Sequence, residues 1–163
     1  MHAEAYEFVG QYGTDEQVTV LDVGGRNING TARDHFPNAN YTVLDILDGP
    51  GVDVVADAAT WSPPHKYDVV VCCETFEHTP VWRDICRTLA EAVKVKGAVI
   101  LTMAGPGRPP HSGFDGGPVH DGEHYENIDP DDLRDALAAA GFETVEIDVN
   151  EQSHDVRAWA SKK

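Results

Sequence analysis

Asp22, Asp45 and Asp57 each stand in or just behind a short run of β-forming residues: Val18–Val23, Tyr41–Asp45 and Val52–Val55. The first run closes on Gly24-Gly25. Glycines at a strand-to-helix turn let the backbone come close to a ligand, and the start of the following helix presents free N–H groups. Asp45 follows the glycine turn by about 20 residues, where an acidic side chain can accept hydrogen bonds from a ribose diol. Asp57 can accept one from an exocyclic amino group such as that of adenine. Singly, these features read as an ordinary turn and two solvated acids. At three consecutive strand ends they describe one crevice, the place where open α/β sheets bind ligands.

The elements that must position these residues follow from periodicity and punctuation. Ala5, Tyr6, Phe8, Val9 and Tyr12 have helical spacing and predict a lead-in helix within residues 1–13. Asn29–Phe36 predicts a short helix closed by Pro37. Tyr67–Cys73 is the most hydrophobic strand and is expected at the centre of the sheet, because continuous apolar runs suit strands covered on both faces. Thr79-Pro80 predicts a helix with Thr79 as N-cap and Pro80 in its first position. Its buried stripe is Trp82, Ile85, Cys86, Leu89 and Val93, and Lys96-Gly97 ends it before the strand Ala98–Met103. Residues 104–128 are rich in Gly, Pro, His and Asp and lack periodicity, which marks a functional loop. Asp129 opens another helix that Gly141 stops, and Val145–Val149 with Val156–Ala160 reads as an antiparallel hairpin. The sum is one α/β domain over residues 1–163, a doubly wound, mainly parallel sheet with a C-terminal antiparallel hairpin. The second-to-third and third-to-fourth strand connections are shorter than helical crossovers require. One sheet face is therefore expected to be thinly covered, with a homodimer or protein partner as its cover.

Composition narrows the function. With 28 Asp and Glu against 12 Lys and Arg, the net charge is −16. Nucleic-acid binding replaces phosphate counterions with Lys and Arg, so direct contact with DNA or RNA is disfavoured. The acid excess itself reads as solubility or salt adaptation. No run is long and apolar enough to span a bilayer, the N-terminus has no basic leader, and Cys72, Cys73 and Cys86 form no disulfide framework. A cytoplasmic protein acting on a small molecule is expected.

Three stretches carry a more specific likeness. VLDVGGRNING, YTVLDILDGPGVDVVADA and YDVVVCCETFEHTPVWRDICRTLAEAVKVKGAVILTM resemble the successive motifs of class I S-adenosylmethionine-dependent methyltransferases, especially the small type 11-like domain proteins. The resemblance covers about Val18 to Met103 and implies a Rossmann-like class I methyltransferase fold, with S-adenosylmethionine as cofactor. It implies that Asp22, Gly24 and Gly25 line the methionine end and that Asp45 holds the ribose hydroxyls. It further implies that Ile46 packs on adenine, that Asp57 with Ala58 reads its amino edge, and that Glu74 faces the sulfonium. Arg26 and Asn27 depart from the family's pattern of glycine at every second turn position.

Methyl transfer needs chiefly in-line positioning of a nucleophile, with a base where the acceptor must lose a proton. His78 is the first candidate base by position, and its plainer role is to orient the turn before the helix. His120 and His124 are the others, on a loop expected to lie over the crevice mouth. His120, Asp121, Glu123 and His124 are also metal-ligand types, but their spacing matches no metal site and no metal is assigned. Two competitors remain. A dinucleotide dehydrogenase fits poorly, because Arg26 occupies the middle glycine of GxGxxG. A catalytically inactive methyltransferase-like module acting through a protein partner is the alternative.

Overall fold

A computed structural model describes residues 1–163. Seven strands form one sheet in the order β3-β2-β1-β4-β5-β7-β6. They are β1 Thr19–Val23, β2 Asn40–Asp45, β3 Val54–Val55, β4 Tyr67–Cys73, β5 Val93–Ala104, β6 Thr144–Asn150 and β7 Asp155–Ser161. The first five pair in parallel, β7 is antiparallel to both β5 and β6, and β4 lies in the interior between β1 and β5. The expected terminal hairpin and central strand are both present.

Strand alternation divides the core in two. Leu21, Val23, Val70, Cys72, Val99 and Leu101 face helices α2 (Trp82–Ala92) and α3 (Pro130–Ala139). Val20, Val43, Val71 and Ile100 face α1 (Ala3–Gly10) and a single 3-10 turn at Ala32–His35. The sheet is thus wound on both sides, as the apolar pattern requires. No helix stands in the β2–β3 or β3–β4 connection. Ala58, Ala59 and Trp61 of the latter pack directly against the α2–α3 core, replacing a crossover helix with loop side chains.

Three element boundaries differ from expectation. Asn29–Phe36 makes only the Ala32–His35 turn, capped by the Thr31 hydroxyl accepting from the Arg33 N–H at 3.2 Å. Helix α2 begins at Trp82, not Pro80. The chain first makes a 3-10 turn at Phe76–His78, which buries Phe76 against Trp82 with ring centroids 5.6 Å apart. Thr79 then accepts the Val81 N–H at 3.3 Å, outside the helix proper. Helix α2 also ends earlier, at Ala92, because Val93 already pairs with Tyr67. The strand bulges before pairing resumes at Val69–Ala98, and Lys96 (φ 62°) and Gly97 lie in that bulge. A Cβ on residue 97 would stand 2.8 Å from the Asp68 carbonyl oxygen, so glycine is required by close approach rather than by helix termination.

Asp129 does cap α3, its carboxylate accepting from the Asp131 N–H at 2.8 Å and the Asp132 N–H at 3.4 Å. Asp129→Ala is expected to lower stability by about 1 kcal/mol. Urea unfolding checks this, and an unchanged midpoint would show that α3 is held by its Leu133–Leu137 face alone.

Candidate functional site

The carboxyl ends of β1, β2 and β4 meet at one edge. At the end of β1 the chain turns at Gly24 (φ 73°), whose N–H donates to the Leu44 carbonyl at 2.7 Å. A Cβ on Gly24 would fall 2.1 Å from the Thr75 hydroxyl, so the turn closes only with glycine. At the end of β2 the Asp45 carboxylate accepts the Arg26 N–H at 3.1 Å and the Leu47 N–H at 2.9 Å. Asp57, beyond β3, accepts the Ala59 N–H at 2.9 Å. Beyond β4, Glu74 sits at φ 53°, an uncommon conformation for a non-glycine residue. Its carboxylate is braced by the Thr102 hydroxyl at 3.0 Å, His2 Nε2 at 3.2 Å and Arg108 at 3.6 Å.

These ends open on a cavity of about 670 Å³. Gly24, Asp45, Ile46, Asp57, Ala58 and Glu74 line it, as do His78, His120 and His124. Asp22 and Gly25 do not line it; they border a neighbouring hollow of about 40 Å³ that shares Gly24 and Cys73 with it. Asp22 alternates with Leu21 and Val23, so its side chain faces the α1 side and accepts the Tyr41 hydroxyl at 2.7 Å. A Cβ on Gly25 would meet that carboxylate at 2.5 Å. Asp45 and Asp57 therefore share one cavity, while Asp22 supports the glycine turn from behind.

The loop over the cavity is braced by its own polar groups. Glu123 accepts the Ser112 hydroxyl at 2.7 Å and the His120 N–H at 2.8 Å, and the Asn127 amide donates to the Gly105 and Arg108 carbonyls. His120 Nε2 lies 3.1 Å from Asp115, and His124 Nε2 lies 3.1 Å from Glu126. A proton on each Nε2 satisfies these contacts and leaves each Nδ1 free to accept. His120, Asp121, Glu123 and His124 are not drawn together as a set of metal ligands.

Burial sets the charge states. It pushes the Asp22 carboxyl up to about 6, against the opposing Tyr41 hydrogen bond. Burial, then the neighbouring His111, lowers His78 to about 4, so its imidazole is neutral at pH 7. Burial and then Glu74 hold the Glu77 carboxyl well above the usual range.

Sequence reasoning did not single out Thr75, Glu77, His111 or Tyr125. Glu77 is fully buried and accepts the Ala104 N–H at 3.1 Å through Oε1. The His78, His111 and Tyr125 rings form a cluster with centroids 5.0–5.8 Å apart. Only the fold joins residues so far apart in the chain. Nothing local marks Glu77 as buried, since it lies in the polar stretch Glu74-Thr75-Phe76-Glu77-His78-Thr79.

The sheet order and the cavity at its carboxyl edge define a Rossmann-like class I methyltransferase fold. The sequence profile of the methyltransferase-domain family matches residues 3–147, and the chain belongs to that family of S-adenosylmethionine-dependent methyltransferases. Solved structures agree on the fold. The Burkholderia thailandensis 1,6-didemethyltoxoflavin-N1-methyltransferase, bound to 1,6-didemethyltoxoflavin and S-adenosylhomocysteine, superposes with a TM-score of 0.71 at 14% identity, covering 98% of this chain and 77% of that one. A putative S-adenosylmethionine-dependent methyltransferase from Listeria monocytogenes gives 0.65 at 16% identity, covering 98% of each chain. The Haemonchus contortus phosphoethanolamine N-methyltransferase 2, in complex with phosphomonomethylethanolamine and S-adenosylhomocysteine, gives 0.70 at 13%, and this chain spans 52% of its length. No curated protein sequence matches the chain.

The raised Asp22 carboxyl has a sign that can be tested. The native state holds its proton up to about pH 6, whereas the unfolded chain releases it near 3.8. Asp22 thus costs no stability below pH 3.8, and its penalty grows as pH rises through 6, reaching about 3 kcal/mol. Asp22→Asn removes that penalty and can keep the Tyr41 contact. Urea unfolding from pH 4 to 7 should show the variant gaining on the parent as pH rises, and parallel curves would contradict the assignment.

Proposed function

We propose that the protein binds S-adenosylmethionine with its nucleoside between Asp45 and Asp57, and methylates a small-molecule acceptor held beneath the 104–128 loop. The observation that carries this reading is that both carboxylates open on the same cavity as Gly24 and Glu74. The fit is chemical as well as spatial. Carboxylates accept hydrogen bonds only, and the nucleoside's diol and amino group are donors. Asp45 spends one oxygen on each of two backbone N–H groups and keeps lone pairs for a diol. Ile46 and Leu47 offer apolar surface to a base, and a volume of 670 Å³ lies within the range of about 300–1,000 Å³ usual for ligand sites.

When bound, the cofactor supplies an electrophilic methyl group on a cationic sulfur. Glu74, held by Thr102, His2 and Arg108, faces the same cavity as a fixed negative charge. His124, half-buried and oriented by Glu126, is the base we assign for an acceptor proton, received at Nδ1. His120 is more exposed and serves the rim. Arg26 and Asn27 leave the cradle intact in one respect: the Arg26 N–H still meets Asp45.

Calorimetry with S-adenosylhomocysteine should give micromolar binding, and Asp45→Ala should weaken it by about 1–3 kcal/mol. Well-folded protein that binds neither S-adenosylhomocysteine nor S-adenosylmethionine would instead be a binding module. Unchanged affinity in Asp45→Ala would move the ribose elsewhere.

A further inference from the structure

Glu77, His78 and His111 come together where the Phe76–His78 turn meets the 104–128 loop, and of the three only His78 lines the cavity. Glu77 is fully buried; Oε1 accepts the Ala104 N–H, but Oε2 has no hydrogen-bond partner. His78 Nδ1 is likewise buried without a partner. Two such atoms on adjacent residues are unfavourable to leave unmatched, because buried polar groups are almost always hydrogen-bonded or ligated. His111 Nδ1 lies 3.2 Å from the Pro109 carbonyl, a contact that holds the ring proton on Nδ1 and leaves Nε2 as a lone pair. A backbone carbonyl on the far nitrogen is the usual way a ligating histidine is oriented. One ligand atom from each of the three residues lies within 4.8 Å of the others.

The spacing suits a cation better than direct contacts among the three. None of the three forms an ion pair with another, although their ligand atoms lie within 4.8 Å of one another. The two imidazoles stand 5.0 Å apart between centroids and nearly perpendicular at 85°. Two imidazoles bound to one tetrahedral ion at about 2.0–2.1 Å have their centroids about 5 Å apart. Room beside His78 Nδ1 exists because residue 113 is glycine: a Cβ there would stand 3.1 Å from Nδ1 and 2.9 Å from Cγ.

We propose that Glu77, His78 and His111 bind one divalent transition-metal ion of the zinc class, tying the 104–128 loop to the 3-10 turn at Phe76–His78. Two imidazoles and a carboxylate, which releases its proton to solvent as the ion binds, are borderline-to-hard ligands that suit Zn²⁺ or Co²⁺, and three protein ligands leave a position open. His78 also lines the cavity, so the ion adjoins it. The inference goes beyond methyl transfer and does not require it.

The test uses the full chain, stripped with a chelator and titrated with Co²⁺ by visible absorption and with Zn²⁺ by calorimetry. One equivalent should bind with micromolar or tighter Kd, and Zn²⁺ should raise the Tm. His111→Ala, which changes a loop side chain, should weaken binding at least tenfold, and Gly113→Ala should weaken it as well. Asp45→Ala, which alters a residue outside the three-residue cluster, should leave it unchanged. Absence of stoichiometric uptake overturns the proposal, as does uptake that persists undiminished in both His111→Ala and His78→Ala. Failure of metal uptake leaves the S-adenosylhomocysteine titration untouched, so the two readings fail separately.

Discussion

The contact between Gly24 and Thr75 is the constraint on which the site depends. The end of β1 and the segment leaving β4 come so close that the Thr75 hydroxyl stands where a side chain on residue 24 would begin. That hydroxyl spans the two strands, lying 3.4 Å from the Val23 carbonyl and 3.1 Å from the Cys73 carbonyl. With the backbones pinned together, Gly24 must turn at positive φ, and its N–H is delivered to Leu44 at the end of β2. Glu74 must likewise accept a left-handed conformation beside Thr75. Strain of this kind, about 1–3 kcal/mol for a non-glycine residue, persists only where the surroundings over-determine it. Here they do: the Glu74 N–H is held by the Thr102 carbonyl at 2.7 Å and its carboxylate by the Thr102 hydroxyl. The cavity opens because three strand ends are locked in this divergent arrangement.

Buried acids complete the locking, one on each face. Asp22 behind the glycine turn and Glu77 beneath the loop are both largely shut off from water, and each spends an oxygen on a group that fixes a neighbouring element. Asp22 takes the hydroxyl of Tyr41 on β2, and Glu77 takes the N–H of Ala104 at the end of β5. Neither contact is cheap, since burial opposes the charged form of both acids. The return is positional. Asp22 fixes β2 against β1 where Asp45 must project, and Glu77 fixes the point where the 104–128 loop departs.

Much of this architecture was legible in the chain, and the illegible parts have a common cause. Parallel strands announce themselves by continuous β-branched runs, and Val18–Val23, Tyr41–Asp45 and Tyr67–Cys73 lie within one residue of the observed strands. Asp129, Pro130 and Gly141 bound α3 through purely local chemistry, so those signals were read correctly. Local chemistry misled at Thr79-Pro80 and Lys96-Gly97. Both pairs look like helix boundaries, but tertiary packing of Phe76 on Trp82 and pairing of Val93 with Tyr67 decide the matter. The same holds in the site. Asp45 and Asp57 read as neighbours because each stands at or just behind the end of a β-forming run, and both line the cavity. Asp22 could be placed at the same edge, but which face it takes is set by the pleat. The meeting of His78 with His111 and Tyr125 depends on a loop path that no periodicity encodes.

The distribution of apolar surface explains why the cavity suits a ligand better than a flat interface would. Nine large hydrophobic side chains are left in water, and four of them, Ile28, Ile46, Leu47 and Phe114, line the same concave space. Ile46 alone is 65% exposed. Isolated exposed apolar residues need no explanation, but their convergence on one cavity does. The β2–β3 and β3–β4 connections contain no helix, and Ala56, Asp57 and Ala58 of the latter line the cavity directly. The remaining walls are apolar at the rim and carboxylate-lined at the strand ends. A partner that buries the rim while donating hydrogen bonds to the acids must itself be amphipathic, flat on one part and rich in donors on another. A nucleoside carrying a cationic tail has that distribution, and the cavity's excess of carboxylates over cations favours the cation further.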